Sequence, residues 1–388
     1  MNEPKLRFKA DDGSQFPDWE EKKLGEIADF FNGDRSARYP KETDFVKYGV
    51  AFLNTENLHN TIVDISEKCK YITYEKYCEL SGAKIQLLDI IYCLRGSVGL
   101  CSLNTILEEG TVASSLMVIR AVDGIIDPIY LYNSLNSDLV LGQLYQCLNG
   151  SCAGNLSAKD MAMFKIKCPC LAEQQKIAEF LSTVDTVIAK QRETVSAWEE
   201  RKKGVMQKLF SQEVRFKADD GSEFSEWEEK KIGEILAVHH GKDYKNLKKG
   251  NVPVYGTGGI ITYVEDFLCD WACVCIGRKG TIDKPLYIDA PFWCVDTLFF
   301  TKAKDKHIPK FQFYLFQMIP WKKYNEASGV PSLNASTIQN INVTIPCLEE
   351  QQKIADCLSS LDEVIEKQKA TMAAWEELKK GLLQQMFA

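Results

Sequence analysis

Arg95 stands directly before a glycine in Arg95-Gly96-Ser97-Val98-Gly99, and Arg278 stands between two in Gly277-Arg278-Lys279-Gly280. A tight glycine turn projects such an arginine outward on a closely approaching backbone. Its planar fork can then donate two parallel hydrogen bonds, as to the O6 and N7 of guanine. The same residue type in the same setting is also a solvated surface cation, and Ser97 and Lys279 share both readings. Tyr255-Gly256-Thr257-Gly258-Gly259 offers free backbone amides that can cradle a phosphate or simply form a structural loop. It lacks the spacing and the Lys-Ser/Thr of a nucleotide-binding loop. Lys242, Lys245, Lys248 and Lys249 form a local cationic cluster, suited to phosphate contacts or to a solvated loop. Asn155 and Asn334 lie in Ser/Gly/Asn-rich loops, 149–155 and 325–334, that can line the same face.

Nothing assembles into a nucleophile, base and orienter. A methyl-transfer site would need a Gly-rich cofactor loop and an aromatic-Pro-Pro motif, and neither occurs. Asp18, Glu20 and Lys22 are too closely spaced for a nuclease centre, and their repeat copy reads Ser225-Glu226 where the first has Pro17-Asp18. His239-His240 has no partner in the first half. The 14 cysteines sit in apolar stretches, and the pairs Cys168/Cys170 and Cys273/Cys275 have no nearby histidine to complete a zinc site. Buried free thiols, no metal and no cofactor are therefore expected, in a chain that is not itself an enzyme.

The elements that carry these residues must come from 388 residues with 45% apolar and 11% aromatic side chains, enough for two or three packed domains. No apolar run is long enough to span a bilayer, and the start lacks the apolar core of a signal peptide, so a cytoplasmic protein without membrane contact is expected. The net charge is −7, but residues 227–345 carry 15 basic and 12 acidic side chains against 15 and 19 in 19–168. Charge alone does not exclude a polyanionic partner.

The chain repeats itself. Residues 6–26 match 214–234 at 16 of 21 positions, and 169–210 match 346–387 at 26 of 42. Two maintained frameworks thus flank two diverged segments. The long copies carry apolar residues in alternating steps of four and three: Ile177, Leu181, Val184, Ile188 and Trp198 in the first, Ile354, Leu358, Leu361, Ile365 and Trp375 in the second. This heptad stripe predicts two helices that pair as a spacer. A helix of about 39 residues is ~58 Å long, the rise of roughly 17 base pairs of duplex. Gln191 and Gln368 interrupt both stripes, either fixing register or facing solvent. The diverged segments read as mixed α/β units: strand–turn–strand at 90–103 and 271–288, further strands at 115–121 and 296–303, and helical stretches at 126–146 and 306–320.

Glu173-Gln-Gln-Lys-Ile-Ala178 and Glu350-Gln-Gln-Lys-Ile-Ala355 after a proline, the Arg-Gly turns, the Ser-rich stretches 151–157 and 328–334, and the Trp-Glu-Glu-Lys-Lys leaders recur in one duplicated order. In that order the chain resembles the specificity subunits of Type I restriction-modification enzymes along essentially its whole length. The resemblance implies an α/β fold class: two mixed α/β target-recognition domains separated by two long antiparallel coiled-coil helices, a pseudo-twofold tandem repeat. It implies a first recognition domain over 1–168, a central helix over 169–212, a second domain over 213–345 and a C-terminal helix over 346–388. Each domain is expected to read half of a bipartite double-stranded DNA site. The helices are expected to dock two methyltransferase subunits, with restriction/translocase subunits beyond them. The first diverged segment, being net acidic, departs from what a DNA reader usually carries. The rival reading is a coiled-coil adaptor whose two domains bind proteins or glycans.

Overall fold

Ile90-Ile91-Tyr92-Cys93 is apolar at every position, and the structure buries it on both faces. Side chains alternate across a strand. Ile90 and Tyr92 therefore enter a core shared with helices, whereas Ile91 and Cys93 enter a second core against another sheet. Burial on two sides explains the unbroken apolar run. In the second half Val274 and Ile276 face the helical core, and Cys273 and Cys275 face the other.

The computed structural model describes residues 4–59, 61–65, 69–149 and 155–387. The chain divides into two compact units, Met1–Arg192 with Thr371–Ala388, and Glu193–Ala370. In the first, one four-stranded sheet runs in the order Ala28–Asn32, Leu116–Ala121, Ile90–Cys93, Cys101–Leu103. The second unit repeats it as Leu236–His240, Leu298–Ala303, Cys273–Gly277, Leu286–Ile288. The expected strand–turn–strand segments are thus present in both. A second sheet differs. Phe45–Val46, Lys70–Ile72, Val50–Leu53 and Gly110–Val112 form it in the first unit, but Gly259–Val264, Lys249–Gly256 and Trp293–Cys294 in the second. The stretch expected to be helical at 126–146 is two helices, Pro128–Leu135 and Asp138–Asn149. Its counterpart is the single helix Pro309–Met318.

The leaders are parts of the domains. Glu20–Lys23 pairs antiparallel with Lys165–Cys168, and Glu228–Lys231 pairs identically with Asn342–Ile345. Each of these last strands runs straight into a long helix, Leu171–Phe210 of 40 residues and Leu348–Met386 of 39. Both helices belong in part to each unit.

No member of the expected stripe is exposed, but its beginning does more than line a helix pair. Ile177 and Leu181 belong to the core of the first unit, and Ile354 and Leu358 to that of the second. Val184, Ile188 and Ile365 are buried further along, with Trp198, Leu361 and Trp375 half-buried. Each fully buried Leu or Ile contributes ~1.5–3 kcal/mol, so these first turns anchor the helices to their own domains. Within the first unit Asp185 pairs with Lys379 at 2.6 Å and Arg192 with Glu376 at 3.1 Å. Within the second, Lys202 pairs with Asp362 at 2.5 Å and Glu199 with Lys369 at 2.9 Å.

The expectation of free thiols needs one correction. Among the described residues twelve cysteines are free, eight of them buried, but Cys147 is disulfide-bonded. Among the described residues no group of three or more His, Cys, Asp or Glu can hold a metal ion, and no helix is long and apolar enough to cross a membrane.

Candidate nucleic-acid interface

Glycine geometry sets the equivalent turns. Gly96 and Gly280 both adopt positive φ, 79° and 88°, a region other residues rarely enter. The turns are latched alike: Leu156 N donates to Leu94 O at 3.2 Å, and Leu333 N to Arg278 O at 2.9 Å. Arg95 bridges to Asn155, as Lys279 does to Ser332. Lys279, and not Arg278, is therefore the counterpart of Arg95. Aligning the two arginines places the second turn one residue out of register.

Arg95, Ser97 and Lys279 are exposed. Arg278 folds back, donating from its guanidinium to Asp296 O at 3.1 Å with a carboxylate oxygen of Asp296 at 4.0 Å. Asn334 caps the helix Ala335–Gln339, its side chain accepting from Ser336 N at 3.1 Å. Ser157 caps Ala158–Ala162 in the same way, so Asn155 lies outside that role. Of the loop 149–155 only positions 149 and 155 are among the described residues.

The glycine stretch after Tyr255 is the turn of a hairpin in which Gly256 pairs with Gly259. Gly256 is buried: a Cβ there would meet Ile261 Cδ1 at 2.8 Å, so this residue is not an open phosphate nest. Gly258 is exposed at the tip. Tyr255 is half-buried, its ring edge-on to Phe292 at 6.1 Å. The tip packs on the basic turn, since a Cβ on Gly277 would lie 3.2 Å from Thr257 Cγ2. The first unit repeats this packing as Thr55 Oγ1 against Cys93 Sγ, 3.8 Å apart. The structure thus brings Tyr255, Gly256, Gly258 and Lys279 to one end of the second unit. Lys242, Lys245, Lys248 and Lys249 are exposed along the segment that enters the hairpin, and no ion pair engages their side chains among the described residues.

Where the second unit has Lys242 the first has Asp34. Gly33 and Gly241 precede them, donating to Leu116 O at 3.2 Å and Leu298 O at 3.1 Å. Asp34 accepts from Ser36 N at 2.6 Å, Ser81 N at 2.8 Å and Ser81 Oγ at 3.1 Å. Burial raises its carboxyl pKa, but these hydrogen bonds outweigh burial and hold it well below the ordinary carboxylate range. Part of the acidity of the first segment is therefore consumed internally.

Sequence reasoning missed a second arrangement. Arg7 donates to both carboxylate oxygens of Glu173, at 3.1 and 2.8 Å, and Trp19 Nε1 adds a third bond at 3.0 Å. Arg215, Trp227 and Glu350 repeat it at 3.2, 2.9 and 3.2 Å. Gln174 and Gln351 donate to Pro169 O and Pro346 O at 2.9 Å each. The identity of leader and helix start in both copies signals this clamp, since the two segments must keep each other's chemistry.

Two diverged segments on one duplicated framework define a modular recognition protein. The profile of the Type I restriction modification DNA specificity domain matches residues 17–195 and again 224–372. The chain belongs to the family of Type I restriction-modification specificity subunits and carries two recognition domains. It is 26% identical to the Type I restriction enzyme MjaVIII specificity subunit of Methanocaldococcus jannaschii, over 97% of this chain and 94% of that protein. It is 23% identical to the putative MjaX specificity subunit of the same organism over the same shares. The fold matches the crystal structure of a Type I S subunit from M. genitalium with TM-score 0.62 and 17% identity, covering 100% of this chain and 99% of that one. It also matches a chain from a study of complex assembly and conformational transition of the Type I system, with TM-score 0.54 and 17% identity over 96% and 98%.

Proposed function

We propose that each unit reads one half of a bipartite double-stranded DNA site through the end that carries the latched glycine turn. The observation that carries this reading is one scaffold with an exposed cation at a matched turn position, Arg95 in the first unit and Lys279 in the second, amid different exposed side chains: Ser97 in the first, Lys242, Lys245, Lys248 and Lys249 in the second. Cations and free amides suit phosphate, and divergent tips suit different bases. Tyr255, Gly256, Gly258, Asn155 and Asn334 belong to this reading as supports of the turns. Arg278 takes part only if it leaves Asp296.

In this reading residues 1–168 and 213–345 are the recognition domains, and 169–212 and 346–388 form an antiparallel coiled coil. The ion pairs Asp185–Lys379 and Lys202–Asp362 support that arrangement, since position falls along one helix as it rises along the other. The paired helices dock two methyltransferase subunits, with restriction/translocase subunits beyond them, and the chain contributes no catalytic group. Such a complex works in the cytoplasm.

Gel-shift competition against random duplexes, with and without the methyltransferase, tests the proposal. Selective retention of one split motif by the assembled complex is expected. Indifference to DNA favours the adaptor reading.

A further inference from the structure

One strand of the second unit presents apolar side chains that are half exposed. Gly259–Val264 is the outer strand of its sheet, hydrogen-bonded on one side only, to Lys249–Gly256. Ile260 is 49% exposed, Ile261 53% and Tyr263 50%. An uncovered apolar edge strand invites pairing with other chains, and proteins ordinarily blunt such edges. Here the ladder is also irregular. Val254 pairs with Thr262 and Tyr255 with Ile260, which leaves Ile261 as the extra residue of a bulge. Bulges re-aim a side chain, and the missing Cβ of Gly256 makes room for Ile261 beside it.

Charge indicates what this edge meets. Lys248 and Lys249 stand where the ribbon begins, and Lys279 stands on the turn against which its tip packs. All three are exposed, as are Lys242 and Lys245, and no ion pair among the described residues engages their side chains. The ribbon thus carries apolar side chains between cations at its two ends. A protein surface could match the apolar strip, but exposed lysines outside any ion pair among the described residues, more numerous than the carboxylates of Glu265 and Asp266 at the strand's end, match a polyanion. A two-stranded ribbon fits the major groove of duplex DNA, where the one apolar group on a base edge is the 5-methyl of thymine. Among the described residues the first unit has no such strip: Lys70–Ile72, which pairs with Val50–Leu53, is covered on its far side by Phe45–Val46. The feature belongs to the diverged part and not to the shared framework.

We propose that the strand Gly259–Val264 enters the major groove of the half-site read by the second unit, and that Ile260 and Ile261 read thymine there through its 5-methyl group. This rests on the DNA-reading function proposed above. The test uses the full chain assembled with its methyltransferase and duplexes carrying the methylated motif, with uracil replacing thymine in one half-site at a time. Uracil lacks only the methyl group. Binding is expected to fall about three- to fivefold for each buried methyl removed, and in one half-site only. The Ile260→Ala/Ile261→Ala complex, changed at two exposed positions, is expected to bind thymine and uracil duplexes alike, and the Ile261→Ala complex to discriminate them less than the parent. Equal binding of both duplexes by the unsubstituted complex, or a half-site without thymine, overturns the inference while leaving the DNA reading intact. Failure of Ile261→Ala to assemble with the methyltransferase overturns it in favour of a protein-docking strip. If the unsubstituted complex retains no duplex selectively, the DNA reading itself falls, and the inference with it.

Discussion

Glu173 accepts both forks of Arg7 from 166 residues away in sequence, and its own side chain is fully buried. Glu350 and Arg215 form the same pair in the second unit, where the carboxylate raises the arginine pKa. These clamps tie each leader to the start of a long helix, and explain why those two segments stayed alike while the residues between them diverged.

Removing one partner of a buried ion pair leaves the other charge uncompensated, at a cost of about 3–5 kcal/mol. Glu350→Ala is expected to destabilise the second unit by that order, and Glu173→Ala the first. The double variant Arg215→Ala/Glu350→Ala is expected to lose less than the sum of the two single losses, because the residues are coupled. Urea unfolding of the parent, the two single variants and the double variant measures this. Strict additivity contradicts the clamp.

Asp34 gives a pH dependence of known sign. Its folded-state pKa lies below the ordinary value of 3.8. Its stabilisation is therefore complete above that value and is lost as pH falls through the lower, folded-state pKa. Asp34→Asn removes acceptor capacity from Ser36 and Ser81 and is expected to cost about 1–3 kcal/mol at neutral pH. The gap between variant and parent should close in acid. A gap that persists unchanged in acid contradicts the assignment.

The lysines entering the hairpin are expected to act without regard to base sequence. Each cation removed from a phosphate lowers the slope of log affinity against log salt by about 0.9. Lys248→Ala/Lys249→Ala should flatten that slope by up to twice this amount, weaken all duplexes similarly and leave the preferred motif unchanged. Salt titrations with matched and random duplexes distinguish this from base reading, which would change the motif.

Leu6 N donates to Gln385 O at 3.1 Å, just as Val214 N donates to Lys208 O at 3.2 Å. Three residues, Ser211-Gln212-Glu213, join Phe210 to Val214. The same three placed between Phe387 and Leu6, with the chain reopened at 211–213, should give a permuted protein that melts like the parent and selects the same motif. Loss of cooperative unfolding would count against the matched geometry.

Periodicity made much of this architecture legible. The stripe from Ile177 and its copy from Ile354 placed both long helices, and apolar runs placed the central strands of both sheets. Local sequence did not reveal long-range pairings. Ser81 reaches Asp34 across 47 residues, and no pattern marks that bond. Residue type alone pairs Arg95 with Arg278, one position out of register. The backbone instead aligns Gly96 with Gly280, through a φ value that sequence does not display. The glycines after Tyr255 suggested a cradle, but Gly256 owes its identity to Ile261 lying over it. Cys147 was expected to be free because connectivity cannot be read from spacing.

Met386 and Phe387 lie in the core of the first unit, beside Tyr130 and Leu181. A ribosome makes Tyr130 and Leu181 well before it makes these two. Every residue of Glu193–Ala370 has by then been made. The half that is born second can therefore mature first, while the earlier half waits, incompletely filled, for the last turn of helix to reach it.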